Sequence, residues 1–240
     1  GRVLFRSQNI LMRRLFLLSL FVLSVFSVQA QPKWGTWSVV PHVGVSFANL
    51  TNEAIGVADN RISHSQTRIG FSGGANVYYQ LTDKLALSGG VAYTQAGCNF
   101  EDVPADLSAK SGTVFHDSYF NLGYVDVPLL AHVYVSKGLA FSVGCQPSFL
   151  TKATAHAEMQ DYETDGKGGI KYDKNEVYED DAKASFKKTA FAIPVGISYE
   201  YENVMLTARY NIGLSKVYNH DLSDSKNKII TVSVGYKFNL

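Results

Sequence analysis

The chain has 240 residues, of which 46% are hydrophobic and 18% charged, and 22 Lys and Arg stand against 21 Asp and Glu for a formal net charge of +1. With no Lys/Arg cluster, that balance excludes a nucleic-acid footprint. A mean hydropathy near zero hides any membrane segment that only alternates, and after the first 30 residues no apolar run is long enough for a spanning helix.

Met12 is the first methionine, followed by Arg13 and Arg14, the apolar run Leu15 to Val28, then Gln29 and Ala30. Such an order reads as a secretory signal peptide over 12–30, cut before Gln31, with Val28 and Ala30 at the −3 and −1 positions. No Cys follows the cut, so a lipid anchor is not expected. Residues 1–11 read as translation upstream of the start, and 31–240 as one mature domain.

Eight stretches of alternating apolar and polar residues then follow. They are expected as strands at Thr36–Ala48, Arg68–Gln80, Lys84–Gly97, Phe120–Val135, Gly138–Leu150, Lys188–Tyr201, Asn203–Leu214 and Lys228–Leu240. In the last, Ile230, Val232, Val234, Tyr236, Phe238 and Leu240 share one face, while Thr231, Ser233, Gly235 and Lys237 share the other. Side chains alternate with period two along a strand, so one face suits lipid and the other a polar interior. The connections alternate as well. Turns at Leu81-Thr82-Asp83, Ser136-Lys137 and Glu202 are tight, whereas 49–67, 98–119, 151–187 and 215–227 are long, polar and expected as loops. Sorted connections of this kind, with an even strand count, predict an eight-stranded antiparallel transmembrane β-barrel of a bacterial outer membrane, its termini in the periplasm.

The outward faces, such as Val43 and Val45, Phe71 and Val77, or Val195 and Ile197, carry no charge. Toward the turns they become aromatic at Trp37, Tyr79, Tyr199, Tyr201, Tyr236 and Phe238, an interfacial girdle with Phe47, Tyr93, Phe149 and Phe191 as its counterpart. Recurrent glycines such as Gly44, Gly74, Gly144 and Gly235 fall mostly on the inward face, where a narrow barrel bends. Cys98 lies at a strand end and Cys145 mid-strand facing out, with another strand between them, which opposes a disulfide.

Tyr124-Val125-Asp126-Val127-Pro128-Leu129-Leu130 resembles the Tyr-Leu-Glu-Ile-Pro-Leu-Leu signature of the PorT-like outer-membrane barrels, often labelled porin family proteins. The residues carrying the match are Tyr124, Asp126, Pro128, Leu129 and Leu130, with a weaker echo at Tyr210-Asn211-Ile212-Gly213-Leu214. This resemblance implies an OmpA-like barrel. Some such relatives are linked to secretion, and the family supplies no catalytic residue.

Few inward positions are ionisable: His42, Arg68, Asp126, His132, Glu200, Arg209 and Lys237. Unpaired charge in a narrow lumen is costly, so Asp126 with Arg209 near mid-height and Glu200 with Lys237 near the turns are expected as ion pairs. His220, Asp221 and Ser223 adjoin in one loop, and His64 and His116 sit in others, yet no nucleophile elbow or metal-ligand spacing accompanies them. Asp161, Glu163, Asp165 and Gly166 mimic the start of an EF-hand loop, but its twelfth position is Tyr172 where a bidentate Glu belongs. The expectation is a monomeric, non-enzymatic barrel without catalytic residue, metal or cofactor, with lipid and an unidentified extracellular or envelope partner around it. Its alternatives are a small channel and a secretion or assembly component, and an eight-stranded interior is just filled by side chains.

Overall fold

The computed structural model describes residues 34–51, 54–57, 61–106, 109–165, 169–219 and 224–240. The expected signal peptide, and His220, Asp221, Ser223 and Gly166, lie outside the described residues. Among the described residues fourteen strands form one sheet: β1 (Trp37–Leu50), β2 (Ala54–Val57), β3 (Arg61–Gln66), β4 (Arg68–Thr82), β5 (Leu85–Phe100), β6 (Ser111–Asp126), β7 (Leu129–Ser136), β8 (Leu139–Thr164), β9 (Ile170–Tyr172), β10 (Glu176–Asp181), β11 (Thr189–Tyr201), β12 (Val204–Gly213), β13 (Asn227–Tyr236) and β14 (Phe238–Asn239).

Eight wall strands close into a ring. β1 pairs with β4, β4 with β5, β5 with β6 and β7, these with β8, and so on through β11, β12 and β13 back to β1, all antiparallel. β6 and β7 are one wall strand interrupted at Val127 and Pro128. Register does not change across the gap: Asp126 lies opposite Ala92 and Ser148, and Leu129, three residues on, opposite Gly89 and Cys145, also three residues away. Proline lacks a backbone donor, so the interruption is a ladder gap, not a bulge. Around it, Val127 N–H donates to Pro147 O at 2.9 Å and Gly90 N–H to Pro128 O at 3.2 Å. Pro41 faces the corresponding gap between β13 and β14, again without a register change.

Alternation is realised as expected. Val43, Phe71, Val91, Leu129, Val143, Leu206 and Val232 are exposed, whereas their chain neighbours Ser72, Ala92, Leu130, Ser142, Met205 and Thr231 are buried. Two aromatic pairs stand at the turn end: Trp37 and Tyr79 at 4.6 Å between centroids, and Tyr236 and Phe238 at 4.8 Å. At Gly144 a Cβ would fall against the Leu129 carbonyl, so the wall tolerates no side chain there. Neither cysteine is in a disulfide; Cys98 is buried and Cys145 exposed.

Three long connections differ from expectation. Much of 49–67, 98–119 and 151–187 is strand: β2 and β3 form a hairpin that joins the end of β5, β6 extends as a ribbon with β8, and β8 runs on for 26 residues in all, pairing with β6 on one side and with β9 and β10 on the other. An antiparallel ladder does not stop where lipid stops, because its hydrogen bonds are as available beyond the bilayer. Only the strong apolar face is lost there.

Candidate functional site

The lumen is filled. Near the turn end, Lys237 Nζ lies 2.8 and 3.1 Å from the two Glu200 carboxylate oxygens. Above them Val40, Tyr78 and Met205 pack together, the Tyr78 hydroxyl donating to Met205 Sδ at 3.6 Å. Ser88 Oγ and His132 Nε2 are 2.8 Å apart, and the His132 ring stands 4.9 Å from that of Tyr78. Asp126 and Arg209 line one void of about 20 Å³ with Ser72, Thr94 and Gln146, yet no direct ion pair joins them. Here the pairing expected from sequence is corrected. Ser148, Thr94 and Gln146 surround the Asp126 carboxyl, and parity alone, which put both residues inside, could not specify contact between strands that are not neighbours.

Among the motif residues, Tyr124 is buried, its hydroxyl accepting from Asn227 Nδ2 at 3.3 Å. Pro128 is fully buried, Leu129 faces out and Leu130 in. The motif therefore builds the wall. His42 Nδ1 is 3.4 Å from Val40 O, and Arg68 donates to Asn99 Oδ1 at 2.9 Å while its guanidinium covers the Tyr119 ring at 4.1 Å.

At the loop end the lumen is closed by apolar side chains. Leu50, Cys98, Phe100, Leu122, Phe186, Val217 and Ile229 belong to one buried cluster. Phe186 comes from the connection before β11, is fully buried, stacks on Tyr218 at 4.9 Å and meets Phe120 edge-on at 5.5 Å. From sequence this stretch reads as solvated loop, since a single Phe among lysines has no period to reveal it.

On this plug stands a pocket of about 350 Å³ between β3, β5, β6, β8 and β10. Phe100, Phe115, Phe120, Met159 and Tyr178 make its apolar wall, with Ala155 and Ala157 giving it room, and Glu101, Asp180 and His156 add polar groups. The volume lies in the range of small-molecule sites. Sequence reading missed the pocket, although Ala153, Ala155, Ala157 and Met159 already alternate with Lys152, Thr154, His156 and Glu158. The EF-hand resemblance is overturned: Asp161 and Glu163 belong to regular β8, where Asp161 Oδ1 accepts from Thr113 Oγ1 at 2.6 Å, and an extended strand cannot wrap an ion.

A family model described as outer membrane protein beta-barrel domain matches residues 29–219. No curated protein matches the chain. Among solved structures, Ail of Yersinia pestis is similar at 14% identity, with 85% of this chain and 99% of that one covered and a TM-score of 0.39. Neisserial surface protein A is similar at 14% identity, 84% and 97% coverage and a TM-score of 0.42. OprG of Pseudomonas aeruginosa is similar at 12% identity, 88% and 99% coverage and a TM-score of 0.39.

Proposed function

Since the chain belongs to the outer membrane protein β-barrel domain family, we propose that it is a closed, non-enzymatic barrel whose loop-end pocket binds a small ligand outside the cell. In this reading the tight turns and the ends of the domain face the periplasm, as the sorting of short and long connections favours. The motif over Tyr124–Leu130 supports a PorT-like barrel within the family.

One contrast carries the reading. Lumen voids hold about 20 Å³ each, whereas the pocket above the plug holds about 350 Å³. A space of 20 Å³ is about that of a single water, so a solute path does not fit while a binding pocket does. The pocket's wall is aromatic and apolar, and Glu101 and Asp180 lend it negative charge. It therefore favours a small apolar molecule with a neutral or cationic polar group over an anionic amphiphile.

The methionines provide the test. Met159 lines the pocket and Met205 is buried in the lumen, so methyl-labelled protein in lipid nanodiscs reports both places separately. Phenethylamine, indole and decanoate are added in turn. The expected result is a saturable shift of Met159 alone, with phenethylamine or indole ahead of decanoate, and its loss when Ala157→Phe fills the pocket. A Met159 signal that does not respond to any probe, or responds equally in the filled variant, rejects the reading.

A further inference from the structure

Beyond the lipid zone, β8 and β6 bring together a set of donors of which only His156 also lines the ligand pocket. His156 and Glu158 are two residues apart on β8 and so project from the same face. Opposite them β6 bulges: His116 pairs with Glu158 and Tyr119 with His156, so three steps of β6 match two of β8. A bulge re-aims side chains. Asp117, within it, has a φ of 42°, a left-handed conformation that Asp and Asn adopt more readily than other residues with a Cβ, and its N–H donates to Asp102 Oδ1 at 3.2 Å. The outcome is that donor atoms of Asp117, His156 and Glu158 all lie within 4.8 Å of one another.

Three further observations bear on what this group holds. The His156 side chain is only 11% exposed, its Nδ1 is buried without a hydrogen-bond partner, and its Nε2 is 3.9 Å from Glu158 Oε1. Tyr119 stacks on that imidazole at 4.6 Å with the planes 12° apart, and Asn175 Nδ2 donates to the other Glu158 oxygen at 2.8 Å. Both ligands are thereby oriented by neighbours, as outer-shell partners orient metal ligands. Finally, among the described residues no Lys or Arg forms an ion pair with Asp117 or Glu158, so two carboxylates share this spot without a cationic side chain.

We infer that Asp117, His156 and Glu158 form a binding site for a divalent transition-metal ion, zinc by its ligand preference. One imidazole and two carboxylates are a nitrogen–oxygen set suited to zinc, whereas calcium and magnesium take oxygen ligands alone. Zinc bonds of about 2.0–2.2 Å place tetrahedral donors roughly 3.3 Å apart. The group must close by on the order of 1 Å, which rotation of the Asp117 and Glu158 side chains supplies. Three protein ligands leave a fourth position for water or a ligand atom. Phe149 of the aromatic girdle is seven residues before His156, about 23 Å of strand at roughly 3.3 Å per residue, so the site meets aqueous solution. It stands on its own donors whether or not the pocket takes a small molecule.

Isothermal titration of untagged, refolded protein in detergent with Zn²⁺, and separately with Ca²⁺, tests this. The expected result is one equivalent of Zn²⁺ bound, Ca²⁺ at least tenfold weaker, and a loss of tenfold or more in Zn²⁺ affinity for both His156→Ala and Asp117→Asn. Asn tolerates the left-handed backbone, so the second variant removes the ligand charge without disturbing the bulge. His116→Ala, outside the three, is expected to keep the affinity. Absence of Zn²⁺ binding, Ca²⁺ binding as tight as Zn²⁺, or unchanged affinity in folded His156→Ala and Asp117→Asn overturns the assignment.

Discussion

Replacing Lys237 with Met leaves Glu200 as a charge in the lumen without its partner. The Lys237 side chain is 5% exposed and that of Glu200 13%, and the closest contact is 2.8 Å. At that separation and an effective dielectric of about 20, the gross attraction is about 6 kcal/mol. Withdrawing both ends from water offsets most of it, so the intact pair adds little net stability. Breaking it is different, because the carboxylate keeps its desolvation cost and loses the compensation. Removing one member of a buried pair costs about 3–5 kcal/mol, and the slight exposure of Glu200 sets the expectation near 3. Adding Glu200→Gln removes the stranded charge and is expected to return about 2 kcal/mol, a coupling well above the roughly 0.5 kcal/mol scatter of independent sites. Urea unfolding of the four proteins in liposomes, followed by tryptophan emission, measures the cycle; Trp37, exposed at the turn end, reports loss of the lipid contact. Additivity within that scatter refutes the reasoning.

The same cycle on Asp126→Asn and Arg209→Met is expected to be nearly additive, since the two share a void without a direct ion pair; a coupling as large as that of Glu200 with Lys237 contradicts it. Purified protein in planar bilayers is expected to pass no steady current, and large reproducible openings argue against a filled lumen. A membrane-permeant maleimide is expected to label Cys145 in the folded protein and leave the buried Cys98 unmodified until urea unfolds the barrel, as mass spectrometry of peptides resolves. Phe186→Ala is expected to cost about 3–5 kcal/mol in the same urea assay by emptying the centre of the plug; a change below about 1 kcal/mol means the mouth recloses around the gap.

What sequence could and could not reveal follows from periodicity. Ile230 to Leu240 announces its two faces because lipid and lumen make opposite demands on alternate residues, and the wall and its girdles are legible for that reason. Past Phe149 both faces of β8 meet water or other side chains, so the contrast fades to alanines against polar residues, and the strand there is not legible from the sequence. Glu200 on β11 and Lys237, just past the end of β13, come close because β11 and β13 flank β12, whereas Asp126 and Arg209 sit on strands further apart around the ring, a distance that parity does not encode. The pocket and the plug gather residues far apart in sequence, Phe100, Phe120 and Phe186 among them, and no local pattern announces such a gathering.

The gap at Pro128 leaves register untouched, and this sets where the chain can change length. Deleting one residue beside it carries Leu129 toward the lumen and Leu130 toward lipid, and reverses all of β7. Two-residue changes preserve the faces but shift the wall against the bilayer. In the ribbon made by β6 and the far half of β8, by contrast, adding two residues to each strand keeps every side chain on its face and moves only the tip. Insertions and deletions among descendants of this sequence are therefore expected to accumulate in even steps beyond Phe149, so that the outer reach of the molecule diversifies while its circumference stays fixed.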